Sequence, residues 1–238
     1  MTRLAALAVV AVAAAPGAHG ALPNLVELPP SSLEVEHGAG RDVLTFTSTV
    51  ANTGRGALVV VSTRLRPGGP FASVQVVGAR RFPLAVEVRY RRSGGHDHFH
   101  LVGFERYELR DAHNQLVARD HKLGFCLSDR QSLRQARAHW TGNCARGQPR
   151  ARRVAQGLSP GFADPYGGEL GGQSFDVTGL PPGQYVLVNT VNPARVFHES
   201  AYGDDAASVR FVLARPPAPA GIAFLRVLAV CSSARCPA

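Results

Sequence analysis

Short runs in which apolar and polar residues alternate, or β-branched residues cluster, recur along this chain and are closed off by Gly, Pro, Asn or Asp. This punctuation constrains the fold more than any other feature. Residues 44–50, 57–62, 72–77, 84–90, 184–191 and 208–213 each fit an extended strand. Alternate side chains of a strand share a face, so each run offers one face to a core and one to water. No window sustains a capped helical period, apart from the N-terminal leader and a short turn near 131–139. The expected fold is mainly β: a β-sandwich-like single domain with long loops between Cys126 and Asp176 and little helix. A length of 238 residues with 45% apolar content is enough for one domain with a real core.

The first twenty residues have a positive start at Arg3, an apolar run from Leu4 to Ala15 and small residues around Ala18 to Ala21, the pattern of a secretory signal peptide. Its apolar stretch is shorter than the ~20 residues a membrane span needs, so no span is expected. The predicted organisation is a signal peptide over 1–20, a main folded domain over 21–214, and a Pro-rich linker with a C-terminal strand over 215–238. An exported chain sees an oxidising compartment, where four cysteines read as two disulfides. Cys231 and Cys236 can clip a short terminal loop, and Cys126 and Cys144 a longer one. Neither pair has the repeated Cys-x-x-Cys spacing of a zinc module.

The formal net charge is +9 and the sequence pI near 10.2, a balance compatible with an anionic partner. Arginine is spread along the chain, with a dense patch from Arg130 to Arg153, yet no nucleic-acid motif accompanies it, and no nucleic-acid partner is expected. The basic excess is nearly all arginine: Lys122 is the only lysine.

The segment His96-Asp97-His98-Phe99-His100 places three imidazoles two residues apart. On a strand all three leave the same face about 7 Å apart, close enough for three ring nitrogens to converge on one ion, whereas a helix would splay them. Asp97 and Phe99 then point to the other face. Imidazole suits copper, zinc, nickel and iron, so ligand type alone does not select the metal. The bland alternative is an exposed His-rich turn after Gly94-Gly95.

Several blocks in order carry a more specific signal: His96-Asp97-His98-Phe99-His100, Tyr107-Glu108-Leu109-Arg110-Asp111-Ala112, His121-Lys122-Leu123-Gly124-Phe125-Cys126-Leu127, Gln156-Gly157-Leu158-Ser159-Pro160-Gly161, Asp164-Pro165-Tyr166-Gly167 and Pro182-Gly183-Gln184-Tyr185-Val186-Leu187. With these the chain resembles the lysyl oxidase family over roughly residues 22–213. The resemblance implies copper held by His96, His98 and His100, and a lysine tyrosylquinone made by joining Lys122 to Tyr166. It implies a secreted amine oxidase that converts primary amines, either lysine side chains of extracellular proteins or small amines, to aldehydes with release of hydrogen peroxide and ammonia. The lone lysine agrees with this: arginine stays protonated and cannot replace an amine that must add to a quinone. Asp129, Asp164 and His121 are the candidates for the general base that removes the α-proton of the amine.

The resemblance also implies calcium, through Glu199, Asp204 and Asp205 together with Asn24 and Leu25; hard oxygen donors suit that ion, although Ala201 stands where the family carries another carboxylate. Arg91-Arg92-Ser93-Gly94-Gly95 replaces a Cys-containing run of the animal members. Twelve of the seventeen acidic residues lie between Asp97 and Asp205, a distribution expected to draw a cationic amine inward. The competing readings are a non-catalytic secreted copper-binding β-domain, which needs neither Lys122 nor Tyr166, and a protein whose arginine patch anchors it to an anionic polymer.

Overall fold

The structure, a computed structural model, describes residues 20–92, 96–120, 124–216 and 221–237. The signal-peptide segment 1–19 and the residues His121, Lys122 and Leu123 lie outside the described residues. Strands dominate, and the one helical element among the described residues is a short 3-10 turn at Gly168–Leu170. The mainly β expectation holds, while the turn expected near 131–139 contains a two-residue strand and bends.

Three antiparallel sheets surround one core. The first joins β1 (Leu25–Gly38), β2 (Arg41–Asn52), β12 (Phe162–Tyr166) and β10 (Gln131–Ser132), with β13 (Ser174–Asp176) also on β2. The second joins β11 (Arg153–Leu158), β3 (Leu58–Arg64), β4 (Phe71–Val77) and β5 (Arg80–Leu84). The third joins β16 (Phe224–Cys231), β15 (Ala206–Ala214), β14 (Gly183–Val191), β8 (Glu105–Asp111) and β9 (Leu116–Arg119). A separate ribbon pairs β6 (Val88–Arg91) with β7 (His98–Leu101).

The first and third sheets meet face to face. Phe46 of β2 stands edge-on to Tyr107 of β8 at 5.1 Å, and the aromatic run continues through Phe125 to Tyr166. Burying such rings is the main favourable term in closing the sheets, each removing on the order of 150–250 Å² from water. β1 was not evident in the sequence because Pro29-Pro30 lacks two ladder donors; the register shifts there, and Ser32 takes a positive φ of 50°. The run expected as one strand over 84–90 is divided. Its start ends β5, and after residues 85–87 the chain enters β6, changing partners from β4 to β7.

Both expected disulfides are present, Cys126–Cys144 and Cys231–Cys236. The C-terminal segment pairs β16 with β15 and extends the third sheet. Among the described residues no helix is long and apolar enough to cross a membrane.

Candidate metal centre

The β6–β7 ribbon presents the histidine row. Phe99 points away from it into a cluster with Phe71, Tyr90 and the Cys126–Cys144 disulfide, so the alternation turns His98 and His100 to the opposite face. The other edge of β7 is fastened as well: Phe99 N donates to Cys144 O at 3.0 Å, and Leu101 and Phe125 exchange two backbone bonds. Gly124 lies flush against this strand. A Cβ there would stand 2.5 Å from Leu101 O and 2.8 Å from His100 Cβ, and its φ of +140° is a region that side chains avoid.

One ligand nitrogen from each of His96, His98 and His100 falls within 4.8 Å of the others, the one such cluster of His, Cys, Asp or Glu among the described residues. His98 Nε2 and His100 Nε2 are 2.8 Å apart. Two nitrogens bound at about 2 Å to one ion would have such a separation. His96 Nε2 lies 3.2 Å from the carbonyl of Leu170, four residues beyond Tyr166. Burial, followed by the charges of Arg146, His96 and Arg130, lowers the His98 pKa to about 4. The ring is therefore neutral at physiological pH, with a lone pair available to a metal.

Tyr166 ends β12 directly opposite Ser48 of β2. Its ring is buried, and its hydroxyl lies 2.9 Å from both Cys126 O and Asp164 Oδ2. Asp164 is fully buried and is itself held by Ser128, whose backbone N–H donates to Oδ2 at 2.9 Å and whose hydroxyl donates to Oδ1 at 3.2 Å. Arg130 Nε lies 3.0 Å from Asp164 Oδ1, and the guanidinium stands 5.8 Å from the centre of the Tyr166 ring. Burial lifts the Asp164 carboxyl to about 6 against these partners. Burial and then Asp164 push the Tyr166 phenol well above its ordinary range, so it keeps its proton at neutral pH.

The lysyl oxidase family profile matches residues 72–215, a span that holds the histidine row, Asp164 and Tyr166. The chain belongs to the lysyl oxidase family. It is 38% identical over 112 residues to the protein-lysine 6-oxidase of Homo sapiens, covering 45% of this chain and 24% of that protein. It is 36% identical over 115 residues to the enzyme of the same name from Sus scrofa, covering 46% and 41%. With lysyl oxidase homolog 2 of Gallus gallus it shares 30% over 116 residues, 48% of this chain and 14% of that one. The chain thus matches less than half the length of these relatives.

Within the lysyl oxidase frame, the remaining expected residues fall as follows. Lys122 and His121 lie outside the described residues. Asp129 is committed to the backbone: Oδ1 accepts from Ser159 N, and Oδ2 from His139 N and Trp140 N. Glu199 accepts from Leu25 N at 2.7 Å and from Asn192 Nδ2 at 2.6 Å, and Asn24 Nδ2 donates to Asp204 Oδ2 at 2.8 Å. Asp204 Oδ1 and Asp205 Oδ1 are buried with no partner among the described residues. The carboxylates of this group do not gather within 4.8 Å as the imidazoles do. Burial, followed by opposing hydrogen bonds and the charges of Asp205 and Asp204, leaves the Glu199 carboxyl at about 7.

Several of the carboxylates between Asp97 and Asp205 have partners of their own within the fold. Glu108 pairs with Arg110 and Arg119, Asp164 with Arg130, and Asp129 with backbone N–H groups. Sequence reasoning also missed a buried carboxyl pair near Tyr166. The Ser48 hydroxyl lies 2.9 Å from Glu27 Oε1 and 2.7 Å from Glu105 Oε2, while Asn189 Nδ2 donates to it at 2.9 Å. One hydroxyl proton cannot serve two carboxylates, so one of the acids carries a proton. Burial and then the charge of Glu105 raise Glu27 well above the usual carboxylate range. No local pattern signals this pair; it arises from the meeting of β1, β2, β8 and β14.

Proposed function

We propose that this chain is a secreted copper-dependent amine oxidase whose organic cofactor is a lysine tyrosylquinone formed from Lys122 and Tyr166. The convergence of three imidazoles on one point, within a chain of the lysyl oxidase family, is the observation that carries the reading. The donor set fits copper, since buried His98 Nδ1 and His96 Nδ1 have no partner among the described residues and imidazole is a suitable ligand for that ion. Copper, when bound, would supply with dioxygen the oxidation of the phenol to a quinone, and through that group the two electrons of a primary amine would pass to dioxygen as hydrogen peroxide while water releases the aldehyde and ammonia.

The chain's own residues supply position and proton handling. The Cys126 carbonyl and Asp164 fix the Tyr166 hydroxyl, and Phe125 stands edge-on to its ring at 4.9 Å. Asp164 Oδ2 is the base within hydrogen-bond reach of that hydroxyl and takes its proton. Arg130 balances the carboxylate charge beforehand. Lys122 supplies the amine that arginine could not.

The full chain, expressed and supplied with copper and oxygen, is expected to develop a visible quinone band that shifts with phenylhydrazine. Digestion is expected to release one cross-linked peptide pair containing Lys122 and Tyr166. A Lys122→Arg variant that still released peroxide from amines at the wild-type rate would remove the cofactor from this reading. Copper uptake with no quinone would favour the non-catalytic copper-binding domain.

A further inference from the structure

Asp164 beside Tyr166 is buried and held within the fold, and the side chains of Arg130 and Arg146 nearby are exposed. A pocket of about 400 Å³ opens between Arg130 and Arg146, with Trp140 and Asn143 in its wall. It adjoins the proposed centre, because Arg130 also stands over the Tyr166 ring and Gly147, next to Arg146, donates its backbone N–H to the carbonyl of Asp97 in the histidine row. The one carboxylate in its wall, Asp129, accepts from three backbone N–H groups.

The pocket belongs to a longer excursion. Residues 130–153 carry seven arginines and no Asp or Glu, and all seven arginines are exposed. Arg134, Arg137, Arg150, Arg152 and Arg153 form no ion pair among the described residues. The Cys126–Cys144 disulfide and the backbone bonds to Asp129 tie this segment beside the site. A bare alkylammonium ion gains nothing from such a wall. Guanidinium groups instead favour carboxylates, which they bind through paired hydrogen bonds.

Resting on the amine oxidase reading above, we propose that the amine this chain oxidises is carried on an acidic peptide. Asp or Glu carboxylates of that peptide dock in the Arg130/Arg146 pocket and along the arginine rim, and a neighbouring lysine side chain reaches the Tyr166 site. A peptide is chosen over a nucleic acid because one molecule must bring both the anionic groups and an aliphatic primary amine.

Trp140 is the only tryptophan and lines the pocket, so its emission reports binding without any metal or turnover. The full metal-free chain is titrated with two peptides of equal length, a central lysine flanked either by glutamate or by glutamine. The glutamate peptide is expected to bind about tenfold more tightly at low salt, with the gap closing at high salt. The Arg146→Gln variant is expected to bring that ratio close to one. In the copper-loaded chain the KM values for peroxide release should show the same ratio. Equal affinities in the unaltered protein, or tighter binding of a DNA duplex of matched charge than of the glutamate peptide, would overturn the proposal. Discrimination by Trp140 emission without peroxide from any amine would leave the pocket standing and remove the oxidase reading. Peroxide from both peptides with one KM would do the reverse.

Discussion

Tyr166 has one hydroxyl proton and two acceptors at 2.9 Å, a backbone carbonyl and the Asp164 carboxylate, of which only the carboxylate can keep the proton. Replacing Asp164 by Asn leaves a side chain able to accept from Ser128 but not to take that proton. Quinone formation in Asp164→Asn is expected to slow by about 10²- to 10⁴-fold, the usual worth of a positioned base, with copper bound as in the unaltered chain. Following the quinone band beside metal content separates the two effects. Because Asp164 sits at about 6, the rate of band growth should fall as pH drops through that value and the carboxylate is protonated. A flat rate between about pH 5 and 8 would remove Asp164 from this role. The histidine spacing was legible because period-two geometry is local, and Lys122 stood out as the one lysine. The place of Asp164 beside the Tyr166 hydroxyl was not legible, because its pairing with Tyr166, Ser128 and Arg130 depends on how β12 lies on β2.

At the scale of elements, strands with clean alternation, β2, β3, β4, β14 and β15, were legible from their own residues. Those whose status depends on a distant partner were not. β1 contains Pro29-Pro30 and survives through a shifted register, and β12 runs Phe-Ala-Asp-Pro-Tyr with no alternating signal yet carries two residues of the site. The disulfide Cys126–Cys144, closing a separation of 18 residues, holds both the arginine excursion and the cluster beneath Phe99. Loop-closure reasoning assigns it about 3 kcal/mol. A double Cys126→Ser, Cys144→Ser variant is expected to melt roughly 5–10 °C lower and to bind copper more weakly, since the strand bearing His98 and His100 rests on that cluster. Unchanged copper affinity in a folded double variant would show that the ribbon needs no such support.

For the whole molecule, several buried acids set the pH response. Burial is the largest cause in each case: Glu199 lies at about 7, Asp164 and Asp205 at about 6, and Glu27 is raised well above 4.5. Each binds a proton more tightly folded than unfolded, so its contribution is present at low pH and is lost as pH rises through the folded value. Melting temperature is therefore expected to fall by on the order of 5–10 °C between about pH 5 and pH 7.5 in calcium-free buffer. A Glu199→Gln variant should flatten the decline. Calcium added at pH 7.5 should recover part of it, by giving the Glu199, Asp204 and Asp205 oxygens a cation in place of protons, and should do little at pH 5. A melting temperature indifferent to calcium at both values would strike that ion from the protein.

The histidines ride on a two-stranded ribbon outside the three large sheets, and such a ribbon is marginal by itself in water. Here its second strand is also tied to Cys144 and Phe125, with Phe99 and Leu101 buried in the interior, so the ligand-bearing strand is set by protein contacts alone. A chain starved of copper should therefore still reach, and keep, its native sheet pairing.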